Sequence, residues 1–172
     1  LKISVALVLI MLASAGLNFA EEEHQSPVTP NTAFDKMKSL KGEWTGAMKE
    51  GGKDYPATAR FAIVSDGSAL MAWLGEGTPN EMVTVFHMDG KDLMGTHYCA
   101  AHNQPRFVVA ESGDPNRIVF KFKDGTNILP HHGHMQEVTF IFDGPDHHIE
   151  DWGYMDKDGK VTTGRFDFKR KS

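Results

Sequence analysis

The chain has 172 residues, with 18 Lys and Arg against 23 Asp and Glu and a formal net charge of −5. That balance offers no basic stripe to neutralise phosphates, which argues against a nucleic-acid partner. Cys99 is the one cysteine, so no internal disulfide is available and the domain must stand on its core.

Lys2 gives a short positive start, Ile3 to Leu12 is an almost unbroken apolar run, and Ala13-Ser14-Ala15 supplies small residues, with Ala20 as a second cleavage candidate. This order describes a secretory signal over residues 1–20, and the apolar run is too short to span a bilayer. The expectation is an exported protein, periplasmic or extracellular, with no stable membrane insertion after cleavage. Residues 21–31 (EEEHQSPVTPN) are polar with two prolines and read as a disordered tether. One domain then fills residues 32–172. Thr32 is placed to cap a short helix in which Phe34, Met37 and Leu40 recur at helical spacing.

After Gly42 the apolar period becomes two. Tyr55, Ala57, Ala59, Phe61 and Ile63 alternate with polar or small residues, as do Ile118, Phe120 and Phe122, and then Val138, Phe140 and Phe142. Asp66-Gly67, Asp89-Gly90, Asp124-Gly125, Asp143-Gly144 and Asp158-Gly159 supply turn signals between such runs. About ten strands follow, near 43–49, 54–65, 69–75, 81–88, 92–100, 106–111, 117–123, 134–142, 147–155 and 161–170. The fold class is therefore all-β: an antiparallel up-and-down meander with a short N-terminal helix. Closure into a barrel removes the exposed edges, and a two-sheet sandwich is the alternative that composition does not separate from it.

The helix running into Gly42-Glu43-Trp44, and a final strand ending Arg165-Phe166-Asp167-Phe168-Lys169-Arg170, resemble the calycin superfamily: lipocalins, fatty-acid-binding proteins and nitrobindins. Thr96-His97-Tyr98-Cys99 and Asn103-Gln104-Pro105-Arg106 are similar to secreted bacterial calycin-like proteins of unknown function. The resemblance implies a barrel in which Arg170, or failing that Arg165, packs across the face of Trp44.

Nine histidines raise the question of metals. His132 and His134 would share a strand face, a common β-strand metal pair. The spacing approaches the cupin motif but departs from it around the histidines, and a polar loop entering a strand is the plainer reading. His147-His148 beside Asp146 reads as a solvated turn, and Glu150 and Asp151 as a solvated strand. His97 and Cys99 share a strand face that a tight hairpin sets beside Met82, Thr84 and Phe86. No elbow or oxyanion loop frames the thiol, so a Cys-His hydrolase is poorly motivated.

The favoured reading is a non-enzymatic barrel binding a small hydrophobic or amphipathic ligand. His97, Cys99, Gln104, Arg106, His134, Met82 and Phe86 would converge on its cavity, with Gln104 and Arg106 meeting a polar or carboxylate head. No cofactor is the first expectation. The alternatives are a haem or divalent-metal barrel with redox or isomerase activity, using His97 or His134, and a structural envelope protein with a packed interior.

Overall fold

A computed structural model describes residues 29–110 and 112–172. The expected signal sequence and most of the expected tether lie outside the described residues. The described residues form one α-helix, α1 (Pro30–Lys38), and ten strands: β1 (Gly42–Glu50), β2 (Lys53–Val64), β3 (Ala69–Leu74), β4 (Met82–Asp89), β5 (Asp92–Tyr98), β6 (Gln104–Ala110), β7 (Arg117–Thr126), β8 (His134–Phe142), β9 (His147–Met155) and β10 (Val161–Arg170). Each strand pairs antiparallel with its sequence neighbours, and β1 pairs with β10, so the meander closes into a barrel. The sandwich alternative is set aside by that last pairing. No helix among the described residues is long and apolar enough to cross a membrane.

The helix begins earlier than its sequence suggested. Thr29 is the N-cap, accepting from the Thr32 backbone N–H, while the Thr32 side chain reaches back to the Thr29 N–H in a capping box. Thr32 is thus the third helical position rather than the cap, and Pro30 takes the first turn, where its missing N–H costs nothing. Phe34 and Met37 are buried against β4 and β5. Lys36 Nζ donates to the Pro115 carbonyl at 2.7 Å, tying the helix to the turn between β6 and β7. In this way α1 plugs the end of the barrel where β1 starts and β10 finishes. The opposite end, bounded by residues 51–52, 75–81, 99–103, 127–133 and 156–160, carries no helix among the described residues.

Residues paired directly across two strands share one face, so the register assigns the interior. Trp44 opposes Ala59 and Arg170; Ala59 opposes Leu74; Leu74 opposes Met82. Continuing round the wall, Thr84 opposes His97, Phe107 opposes Phe122, Val138 opposes Trp152, and Glu150 opposes Phe166. Toward the plugged end the interior is solid. Phe61, Phe86, Phe120, Phe140 and Phe168 are buried, and Phe86 lies 5.1 Å from Phe120 and 5.7 Å from Phe140, centroid to centroid.

Close approach requires glycine at several positions, two of which bear on the motifs read from the sequence. A Cβ on Gly42, whose φ is +133°, would sit 3.0 Å from Arg170 Nη1, so the first residue of Gly42-Glu43-Trp44 makes room for the arginine. At Gly125 a Cβ would meet the Gln104 carbonyl at 2.7 Å. That glycine belongs to β7, which runs on through Asp124 and Gly125 to Thr126. The expected Asp124-Gly125 turn is therefore a stretch of strand, held in register with Arg106 and Pro105 beside a bulge at Arg106/Phe107.

Candidate functional site

A cavity of about 570 Å³ opens at the unplugged end. It is lined by inward-parity Met48, Tyr55, Ala57, Leu74, Met82 and Phe166, by outward-parity Thr45, Pro56 and Thr58 of β1 and β2, and by Gly75, Thr78 and Asn80 of the following loop. The six inward residues follow from the alternation of β1 to β4 and β10, on the parity fixed by Trp44, Ala59 and Phe168, so the space straddles the open rim of the wall. A second depression, of about 380 Å³, lies on the outer wall between β1 and β2. Its charges are already matched, Arg60 with Glu76 and Lys171 with Glu43, so it presents no unmet group to a ligand.

One inward position deeper than Met82, β4 places Thr84, whose hydroxyl lies 2.8 Å from Nδ1 of His97. His97 is only 1% exposed, and its Nε2 is buried without a hydrogen-bond partner among the described residues. The ring packs on Trp152 at 4.8 Å and Phe107 at 6.4 Å. Trp152 continues the polar line along the inner face of β9. Its Nε1–H donates to one oxygen of Glu150 at 2.8 Å, and the other oxygen of Glu150 lies 2.9 Å from His148 Nε2. His148 in turn meets the Trp44 ring edge-on at 4.3 Å, and the Arg170 guanidinium lies 4.2 Å from the centroid of that indole. Buried polar and aromatic groups therefore run from the Trp44 seam up the interior to His97.

Burial pushes the His97 pKa down to about 4, because a charged imidazole loses its hydration there. The folded state holds this ring neutral while the unfolded chain protonates it near its ordinary value. The stability associated with His97 is therefore intact above about pH 6.5 and is lost as pH falls toward 4, by roughly 3 kcal/mol in all. Urea unfolding of wild type and His97→Phe across that window should show the smaller acid loss in the variant. Parallel curves would contradict the assignment.

The structure brings together only part of the expected site. Met82 lines the cavity, whereas His97 is buried in the interior and is not among its lining residues. Phe86 is fully buried in the solid aromatic core. Cys99 lies beyond the end of β5, in the turn where its N–H donates to the Asn103 carbonyl at 3.1 Å, and burial raises its thiol pKa. Gln104 and Arg106 face the wrong way for the expected head-group contact. Arg106 is exposed and pairs with Asp124 on the outer wall, and Gln104, two residues earlier on that face, accepts from the Thr126 hydroxyl. Phe107 takes the inward position instead.

His134 is buried beside Phe122 at 4.4 Å, with Nε2 hydrogen-bonded to Gln136 at 3.1 Å. The exposed His132 and His134 both border a small rim cavity, but no cluster of three His, Cys, Asp or Glu able to hold a metal ion occurs among the described residues. A haem ligated by His97 would need space for its macrocycle where Trp152 and Phe107 now flank the ring. At His134 the same space is held by Phe122. These residues do not fit the group.

The reading of residues 147–151 also changes. His148 is fully buried and Glu150 is 2% exposed, so neither belongs to a solvated turn or strand. His147 keeps a surface role, bridging Asp143 and Asp167 at 2.8 and 2.9 Å, and Asp151 stays on the outer wall, paired with Arg165. The signal for His148 and Glu150 was their shared parity with Trp152.

No protein-family model matches the chain, and no curated protein matches it in sequence. Among solved structures it is similar to a protein of unknown function from the DUF3598 family of Nostoc punctiforme, with 11% identity and a TM-score of 0.53. The match covers 78% of this chain and 48% of that one, so the chain spans about half the length of this neighbour. At that identity the likeness establishes the barrel fold and nothing finer.

Proposed function

We propose that the protein is a non-enzymatic barrel that takes a small apolar or amphipathic molecule into its open end. The observation that carries this reading is the cavity of about 570 Å³, walled by Met48, Tyr55, Ala57, Leu74, Met82 and Phe166. Its size falls in the range of ligand pockets. Two methionines give its wall the adaptability of unbranched side chains, and the helix plug at the far end leaves one way in. We also propose kinship with the calycin barrels, supported by the seating of Arg170 over Trp44. Export is the matching proposal for location: purified exported protein should begin between Gly16 and Glu21, and an intact first residue in a membrane fraction would oppose it.

Binding is tested with phenylnaphthylamine, whose fluorescence rises in apolar surroundings. Wild type should enhance it saturably, and Ala57→Trp, which fills the cavity from its inner wall, should weaken binding about tenfold or more while a thermal melt confirms the fold. No enhancement, or an unchanged affinity in the variant, would contradict the reading.

A further inference from the structure

We propose that the turn joining β8 to β9 is a pH-operated clasp at the barrel seam: His147, as an imidazolium, holds Asp143 and Asp167 together, and loss of its proton releases Asp143 and slackens the turn that Arg170 grips. Both ring nitrogens are engaged. Nδ1 lies 2.8 Å from Oδ2 of Asp143, and Nε2 lies 2.9 Å from Oδ1 of Asp167. A carboxylate accepts and has no hydrogen to give, so each nitrogen donates and the ring carries two protons. The hydrogen bonds to Asp167 and then Asp143 stabilise that charge and hold the pKa of His147 above its ordinary value. A neutral ring keeps one N–H. Its other nitrogen then turns a lone pair toward a carboxylate oxygen at hydrogen-bond distance, and that contact becomes repulsive.

Position decides which carboxylate lets go. Asp167 lies within β10 between Phe166 and Phe168, both buried in the core, and its side chain is 35% exposed. Asp143 follows the last residue of β8 and its side chain is 75% exposed, so it is free to swing into water. The turn that Asp143 begins is held a second time, from the end of β10. Arg170 donates from Nη2 to the Pro145 carbonyl at 2.8 Å and from Nε to Asp146 Oδ1 at 3.0 Å, and its backbone N–H reaches the Asp146 carbonyl at 2.9 Å. The same guanidinium lies over Trp44 and donates to the carbonyls of Ser39 and Lys41. A turn freed at Asp143 therefore shifts the acceptors of the residue that closes the seam. The other charged groups of the neighbouring elements are accounted for. Lys169 stands opposite His147 in register, Asp146 is bound to Arg170, and Asp151 to Arg165. On β8, Glu137 is bound to Lys121, and on α1 Lys36 donates to Pro115 and Asn116.

The experiment follows the His147 ring of wild-type protein by long-range proton–nitrogen NMR from about pH 5 to about pH 9. Its midpoint should lie above the ordinary histidine value of about 6.5, and the Arg170 Nε–H resonance should move at that same midpoint. Asp167→Asn and Asp143→Asn should each lower the midpoint, the first by more. A group whose folded pKa is raised stabilises fully below its unfolded value, and that stability is lost as pH rises through the folded value. The urea midpoint of wild type should therefore fall as pH rises through the His147 titration, and His147→Gln should lack that fall. A His147 midpoint at or below the ordinary value, or an Arg170 resonance that does not follow it, would overturn the proposal. Both of these are read from wild type and hold whether or not a variant folds.

Discussion

Replacing Trp44 with alanine should lower the stability of the barrel by about 3–5 kcal/mol, the usual loss for a buried aromatic. The indole is 2% exposed, donates to the Leu40 carbonyl at 2.7 Å, carries Arg170 at 4.2 Å on its ring and receives the edge of His148. Its removal therefore leaves a cavity and a loose guanidinium at the point where β1 meets β10 and α1 enters. Arg170→Lys should cost less, roughly 1–2 kcal/mol. Lysine keeps the charge but cannot fork to the carbonyls of Ser39, Lys41 and Pro145 as Arg170 does. Urea unfolding monitored by circular dichroism ranks the two. A Trp44→Ala protein as stable as wild type would contradict the seam described here.

Glu150→Ala should be comparably severe, again about 3–5 kcal/mol, because breaking a buried pair strands its partners. Both Trp152 Nε1–H and His148 lose their acceptor in the interior, where no water replaces it cheaply. Glu150→Gln keeps one carbonyl oxygen and should fall between the two, at roughly 1–3 kcal/mol. The order wild type, Gln, Ala in unfolding free energy is the expected result. Equal stability of all three would mean that the carboxyl does not organise the polar line.

The alternation of apolar residues made the strands legible. The ten segments read from periodicity and turns match the ten observed strands to within a few residues at each end, because Phe120, Phe140 and Phe166 mark inward positions without ambiguity. The Trp44–Arg170 contact was reached through resemblance and is now seen in atomic detail. The site was less legible, for two physical reasons. First, β9 inverts the usual pattern: its inner face carries His148 and Glu150 while Ile149 lies on the outer parity, so polarity pointed the wrong way. A hydrogen-bonded carboxyl inside a barrel is invisible to a hydropathy rule until its partners are known. Second, the chemistry of Gln104 and Arg106 was weighed without their parity. Phe107 and Val109 claim the inward positions of β6, which sends Arg106 outward to Asp124. Cys99 illustrates a boundary effect, since β5 ends at Tyr98, two residues earlier than expected, which puts the thiol in a turn rather than on the face it would share with His97.

The open-end cavity is tested most directly by methyl resonances of wild-type protein titrated with hexyl methyl ketone. The Met48 and Met82 methyls and the Leu74 methyls should shift together and saturate at one ligand concentration, because all three side chains line one space. Met37, buried on the inner side of α1 at the other end, should not move. Shifts confined to outer-wall residues, or no shift at Met48, Leu74 and Met82, would contradict the account.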